Sequence, residues 1–433
     1  MPIRYTFYGD DFTGSTDVLE QLASNGVPVV LFLGPPTAEH LAMFPGVEAI
    51  GIAGDSRSRS PDWMSAHLPE IFIGLKDFGA PVMHYKICST FDSSPACGSI
   101  GRAMEIGRDI FSPSVIPIVV GAPHLRRYVA FGNLFAADAD GTVVRIDRHP
   151  MSRHPVTPMR EADLRAHLAA QTGMKIGLVD GPTLEAGDGS EAVATLVAAG
   201  HQAVLFDTVD ARTQAAVGEL LWSLALQGPF FSASSSGLTA ALISAWGTLG
   251  IVMERPVAKA SPTAGPLLVV SGSCSAVTER QLRYALDHGY HGIPIEPAAL
   301  LDPVGRGRAA TMDAGMQSLG AGQDTVFYTT LGTPAGLAQG EELGVALGGL
   351  MREMLIRSSA SGIPVRRVLI CGGDTTSHAV QQLGVYALTW VANLQPGAPL
   401  CRAHADSELH DLEVVLKGGQ VGTDNFFDVV RGG

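Results

Sequence analysis

A chain of 433 residues is too long for one ordinary hydrophobic core, so two domains are expected. Its 46% hydrophobic and 16% charged residues describe a well-buried globular protein. The net charge of −13 argues against nucleic acid or an anionic membrane as a general partner, but not against a small anionic ligand held by a local cluster of cations and backbone N–H groups. Cys88, Cys97, Cys274, Cys371 and Cys401 are scattered without CxxC or His/Cys spacing, so reduced thiols are expected and a zinc site is not. No basic segment followed by an apolar run opens the sequence, and no apolar stretch reaches bilayer-spanning length. A soluble, cytoplasmic protein is the expectation.

Residues 3–8 alternate and are β-rich, while Val18, Leu19 and Leu22 mark an amphipathic helix over residues 18–25, stopped by Gly26. Between them lies Tyr8-Gly9-Asp10-Asp11-Phe12-Thr13-Gly14-Ser15-Thr16-Asp17, in the strand-to-helix turn where open α/β sheets place ligands. Adjacent carboxylates repel, so Asp10 and Asp11 need a metal ion, a lysine or a donor-rich ligand. A capped turn with solvated carboxylates is the alternative.

Strand-like runs at 27–32, 49–52, 81–87, 115–120, 175–179 and 203–206 alternate with helical patterns at 62–74, 101–111, 160–171, 190–199 and 213–226. This order predicts a parallel sheet wrapped by helices. Polar clusters end several strands: the opening turn and residues 55–59, 86–94 and 207–213. A parallel sheet is expected to gather them on one edge. Lys86, at the end of an apolar strand, needs either an acidic partner (Asp10, Asp11 or Asp92) or an anionic ligand. Arg57 and Arg59 at the neighbouring strand end favour the anion. Residues 148–159 carry His149, His154 and three prolines, a rigid loop suited to covering a site or to exchange in a homodimer.

Three prolines among residues 254–266 mark a linker between domains spanning 1–253 and 267–433. The second domain repeats the alternation, with strands at 267–270, 325–329, 368–371 and 412–416 and helices at 278–288, 342–358 and 377–383. Three of its strands run into Ser271-Gly272-Ser273-Cys274-Ser275, Gly372-Gly373-Asp374-Thr375-Thr376 and Lys417-Gly418-Gly419-Gln420. Glycines let backbone approach a ligand, and hydroxyls with free N–H groups at a helix start suit phosphate oxygens. None is a Walker A or GxGxxG sequence, yet three in one domain favour a nucleotide cradle over plain tight turns. Without GxGxxG a dehydrogenase is disfavoured, and without GxSxG so is a nucleophilic triad. Cys88 and Cys274 lack a paired His and are expected as small packing residues.

Asp10-Asp11-Phe12-Thr13-Gly14-Ser15-Thr16-Asp17, residues 86–94, His154-Pro155-Val156-Thr157-Pro158-Met159, Ser271 to Ser275 and Gly372 to Thr376 occur in an order that resembles the four-carbon acid sugar kinase family over essentially the whole chain. The resemblance implies two α/β domains, each a mostly parallel sheet flanked by helices, with the active site in the cleft between them. It implies an N-terminal domain binding a small anionic acid sugar and a C-terminal domain binding ATP with Mg²⁺. Nucleotide contacts carry over to Ser271, Gly372, Gly373, Asp374, Thr375 and Gly419, and acid-sugar contacts to Asp10, Asp11, Arg57, Lys86, Asp92 and Ser93. On this basis Asp10 or Asp11 accepts the proton of the attacking hydroxyl, the other helping to hold Mg²⁺ or the substrate. Lys86 and Arg57 bind the substrate carboxylate, and domain closure excludes water.

The family's GGET is GGDT here, and its KSGNFG is Lys417-Gly418-Gly419-Gln420-Val421-Gly422. The YGDDFTGSTD opening leaves the substrate open between tetronates or 3-oxo-tetronates and branched or oxidised sugars such as 3-oxo-isoapionate. The rival from another class is a non-catalytic acid-sugar sensor, which has no use for two adjacent carboxylates at an anion site.

Overall fold

The computed structural model describes residues 2–138, 141–153, 156–251, 258, 260–302, 305–331 and 340–432. His154, Pro155 and most of the 254–259 stretch of the expected linker lie outside them. The chain forms two compact units, Met1–Val29 with Leu41–Pro256, and Val30–His40 with Val257–Gly433. Among the described residues no helix is long and apolar enough to cross a membrane.

The strands up to residue 234 are β1 (Tyr5–Gly9), β2 (Val29–Phe32), β3 (Ala49–Ala53), β4 (Val82–Lys86), β5 (Ile116–Val119), β6 (Arg127–Ala130), β7 (Asn133–Ala137), β8 (Val143–Arg145), β9 (Ile176–Val179), β10 (Ala203–Phe206) and β11 (Phe230–Ser234). In the first unit β11, β4, β1 and β3 lie side by side, all parallel. Their register brings Ser234, Lys86, Gly9 and Ala53 level, so the turns that follow them share one edge. These strands are buried on both faces, as a helix-covered parallel sheet requires.

A buried chain of hydrogen bonds fixes β4 in place. His84 Nε2 lies 2.8 Å from the Ser234 carbonyl, which only accepts, so Nε2 carries the proton. Nδ1 then accepts from Tyr5 Oη at 2.6 Å, and Thr239 Oγ1 donates to Tyr5 at 2.9 Å. Burial pushes the His84 pKa down to about 3, so the ring stays neutral.

Two expectations need correction. The helix after β1 spans Phe12–Ser24, because Asp11 caps it by accepting from Gly14 N at 2.9 Å. Thr13 to Asp17 are therefore helical, not part of the turn. Residues 207–213 do not join the edge of the four-stranded sheet, because they follow β10 in a separate parallel sheet, β5-β10-β9. The Asp207 carboxylate there is filled by the amides of Phe131, Gly132 and Gly181, and Asp210 caps the helix Ala211–Gln227. An antiparallel ribbon, β6-β7-β8, also departs from the expected alternation.

The second unit holds β12 (Leu268–Ser271), β13 (His291–Pro294), β14 (Thr325–Tyr328), β15 (Arg367–Cys371), β16 (Val385–Gln395), β17 (Ala398–Ala405) and β18 (Glu413–Lys417). β18, β15, β12, β14 and β13 are parallel neighbours in that order, with Lys417, Cys371, Ser271 and Tyr328 level at their ends. The hairpin of β16 and β17 extends this sheet antiparallel, and residues 31–32 of β2 pair with β16. Arg367, 1% exposed, crosses the unit's base: it donates to Glu413 Oε2 at 2.8 Å, Val430 O at 2.5 Å and Ser261 O at 2.7 Å. Arg367→Met removes three hydrogen bonds, one of them to the buried Val430 O, and is expected to cost on the order of 3 kcal/mol in urea denaturation.

Candidate active site

Asp10 closes β1 and Asp11 begins the following helix, so their carboxylates share the sheet edge. Their mutual repulsion is met by Arg57, in the turn after β3. Its Nε and Nη2 donate to Asp10 Oδ2 and Oδ1 at 3.1 and 2.7 Å, and its Nη1 and Nη2 to Asp11 Oδ2 and Oδ1, both at 2.9 Å. The Arg57 amide also donates to Asp10 O at 3.0 Å, so backbone and side chain fix the same register. Asp11 receives two further bonds, from Gly14 N and Thr13 Oγ1. Every oxygen of the pair has a donor, and one of Arg57's five N–H groups, on Nη1, remains. Burial pushes the Asp10 carboxyl up to about 6, against the opposing pull of Arg57. Burial alone would lower Arg57, but Asp10 and Asp11 outweigh it and hold the guanidinium charged.

Lys86 stands next along the edge with its side chain 4% exposed. Among the described residues no acceptor lies within hydrogen-bond distance of its Nζ, and the nearest carboxylate oxygen is Asp17 Oδ2 at 4.0 Å. A buried ammonium left this way is costly unless an anion arrives. A Cβ on Gly14 would sit against the Asp11 carboxylate and 2.8 Å from Lys86 Nζ, so the glycine lets both groups approach the helix's first turn. Arg59 does not join: it pairs with Asp55 four residues back and lies over the Trp63 ring.

The loop after β4 is held tightly. Phe91 adopts φ +62° with its ring fully buried. Asp92 accepts from Thr90 Oγ1 at 2.5 Å; burial raises its pKa, but Arg57 and Thr90 outweigh this and leave it lowered. The Ser93 hydroxyl is spent within the protein, donating to Phe91 O and meeting His167 Nε2 and Gln171 Nε2, both at 2.9 Å. Cys88 is pushed up to about 11 by burial, so it stays a thiol. Cys274, expected as a packing residue, is exposed.

Three cationic or polar elements of the first unit escaped the sequence reading. Arg127 begins β6, and its buried Nε has no partner among the described residues. His124, in the turn Pro123–Leu125, has its pKa lowered by burial against the pull of Asp17. β11 ends in Ser235-Ser236-Gly237, where Ser235 caps the helix Ser236–Thr248 and the buried Ser236 Oγ has no partner. The last had a readable signal, because a β-rich run followed by SSSG repeats the pattern of the other turns.

In the second unit the three glycine turns interlock. Gly372 sits at φ +116°, where a side chain is strained, and a Cβ would lie 3.0 Å from Thr375 Oγ1 and 3.3 Å from Ser273 N. A Cβ on Gly419 would lie 3.3 Å from both Ser273 Oγ and Ser275 Oγ. The helix Gly373–Gln382, with Asp374 and Thr375 in its first turn, has no side-chain cap, leaving its first amides to a ligand.

The buried Ser271 Oγ lacks a partner, as does Thr329 Oγ1, whose amide donates to Ser271 O at 3.1 Å. Lys417, fully buried, donates to Thr278 Oγ1 at 2.9 Å and Gly418 O at 3.0 Å and has no ion-pair partner among the described residues. Burial pulls its pKa down. Orphan hydroxyls, open amides and an unneutralised cation at level strand ends fit a nucleotide's phosphates.

A family model described as Sugar-binding N-terminal domain matches residues 5–242, and one described as Nucleotide-binding C-terminal domain matches residues 268–427. The chain belongs to the four-carbon acid sugar kinase family. It is 43% identical to a 3-oxo-isoapionate kinase of Paraburkholderia graminis, covering 99% of this chain and 94% of that one. It is 30% identical to a 3-oxo-tetronate kinase of Cupriavidus necator, covering 97% and 94%. A solved Haemophilus influenzae protein shares the fold at TM-score 0.73 and 25% identity over 99% of both chains. The chain is therefore an ATP-dependent sugar-acid kinase, with the carboxylate edge in the sugar-binding half and the glycine turns in the nucleotide-binding half.

Asp10 supplies a pH test. Its charged form is lost as pH falls through about 6, and with it the fork to Arg57. kcat/KM for the acid sugar is expected to fall about tenfold per pH unit below that point. The pH–rate profile of Asp10→Asn, whose amide does not titrate, should lack this limb.

Proposed function

We propose that this kinase phosphorylates a branched, oxidised acid sugar of the 3-oxo-isoapionate type. The 43% identity to the 3-oxo-isoapionate kinase supports this substrate over a linear 3-oxo-tetronate, whose kinases match at 27–31%. The observation that carries the site assignment is Lys86: a buried ammonium with no hydrogen-bond acceptor among the described residues, beside an arginine locked by two carboxylates.

The sugar's anionic oxygens take Lys86 Nζ and the remaining N–H of Arg57. Asp92, buried and charged, accepts sugar hydroxyls. Ser93 acts by holding its loop, since its hydroxyl is committed to His167, Gln171 and Phe91. Asp10 and Asp11 serve chiefly to hold Arg57 in place. Ser271, the amides of Gly372 to Thr375, Gly419 and the Lys417 ammonium hold the nucleotide's phosphates.

Among the described residues no three His, Cys, Asp or Glu side chains gather to hold a metal. That donor set suits Mg²⁺ carried mainly on phosphate oxygens, where it neutralises their charge.

Phosphorylation should be measured as ADP formed from ATP with 3-oxo-isoapionate, 3-oxo-tetronate, D-threonate and D-erythronate. The expected order places 3-oxo-isoapionate first by at least about tenfold in kcat/KM; a linear tetronate in first place overturns the substrate. Lys86→Met is expected to lower kcat/KM for the sugar by about 10²-fold with ADP affinity unchanged. Lys417→Met should instead raise KM for ATP by about tenfold and leave KM for the sugar in place.

A further inference from the structure

We propose that Asp17, rather than Asp10 or Asp11, takes the proton from the attacking sugar hydroxyl. The proposal rests on the kinase reading above and deepens it. A proton acceptor needs an oxygen with a free lone pair facing the reacting atom. Asp11 offers none, because each of its oxygens accepts twice, from Arg57 and from Thr13 Oγ1 or Gly14 N, and both oxygens of the buried Asp10 are already held by Arg57. A carboxylate held in such a fork is a weaker base and opens only by breaking a charge-assisted pair.

Asp17 differs. It lies one turn beyond Gly14 on the helix Phe12–Ser24, with its side chain 13% exposed. Oδ1 accepts from Gln21 Nε2 at 3.0 Å, while Oδ2 has no hydrogen-bond donor among the described residues. Lys86 Nζ, on β4, stands 4.0 Å from that oxygen, close enough for charge attraction and too far to occupy its lone pair. His124, in the turn Pro123–Leu125, has its pKa lowered by burial against the pull of Asp17. The helix Ser236–Thr248 and strand β3, which pack against Asp17's helix, bring no charged residue. Gly14, lacking a Cβ, lets the Lys86 ammonium come close to the helix's first turn, so that a base and a cation stand together there.

In that space the step balances simply. The sugar's O–H bond breaks and its proton passes to Asp17 Oδ2. The freed electron pair forms the new bond to the γ-phosphorus of ATP. The bond from that phosphorus to the β,γ-bridging oxygen breaks, and ADP leaves with its electron pair. Lys86 stabilises the negative charge building on the transferred group.

The test compares wild type, Asp17→Asn and Asp17→Ala in steady-state turnover with the sugar panel and ATP, with ADP affinity by calorimetry as the control for folding. Asp17→Asn is expected to lose about 10²- to 10⁴-fold in kcat, with KM for the sugar within about threefold and ADP affinity unchanged. Formate should restore part of the turnover of Asp17→Ala by supplying the missing carboxylate, and should leave wild type unaffected. Asp17→Asn turning over within a tenth of the wild-type rate overturns the role. A loss expressed only in KM does so too, as does an Asp17→Ala enzyme that binds ADP and is deaf to formate. Wild type inactive on every sugar of the panel overturns the substrate reading itself, and Asp17's role falls with it.

Discussion

The sugar-binding half turns on one guanidinium. Two neighbouring carboxylates at the end of a buried strand would repel each other and the sheet edge would not hold, yet Arg57 bridges all four oxygens and converts the repulsion into a rigid plate. Everything beside it is placed by that plate. Asp11 is free to cap its helix, the helix brings Gly14 and Asp17 past the Lys86 ammonium, and the amide of Arg57 pins the turn after β3 to β1. The burial that keeps Asp10 hard to ionise is the cost of keeping this plate dry.

The nucleotide-binding half solves the opposite problem. Its turns present amides, hydroxyls and a buried cation, Lys417, with no ion-pair partner among the described residues. Lys417 is not idle in the absence of a ligand. It braces Thr278, whose hydroxyl donates to the Gly419 carbonyl together with that of Ser275, so the first and third glycine turns are tied at one point. On the proposed reading, a cation that already organises these turns reduces the ordering cost of binding a phosphate.

Much of this was legible in the chain. Short apolar or β-rich runs followed by polar turns located β1, β3, β4, β12, β15 and β18, and with them Asp10, Asp11, Arg57, Lys86 and the three glycine turns. Interior contacts were not legible. Sequence does not show that Ser93 faces His167 and Gln171, 74 and 78 residues away, nor that Arg57 spends its donors on two aspartates. The turn after β1 was drawn too long because Thr, Gly and Ser are poor helix formers, while the Asp11 cap and buried Phe12, Val18 and Leu19 outweigh that weakness. β16, β17 and the ribbon β6-β7-β8 were missed because expecting strands to alternate with helices leaves no place for hairpins. Asp17 was visible all along as the last letter of the opening motif, and only its uncommitted oxygen distinguishes it.

The level ends of β11, β4, β1 and β3 have a consequence for how such enzymes diversify. Each turn hangs from its own strand, and the strands are held by backbone pairing and apolar burial that do not depend on what the turns recognise. A change in the loop after β4 or in the serine turn after β11 alters one turn of this edge without asking the sheet to refold. On the proposed site, acceptance of a new branch or oxidation state on the sugar is then a local matter of a few side chains, while the Arg57 plate stays as it is.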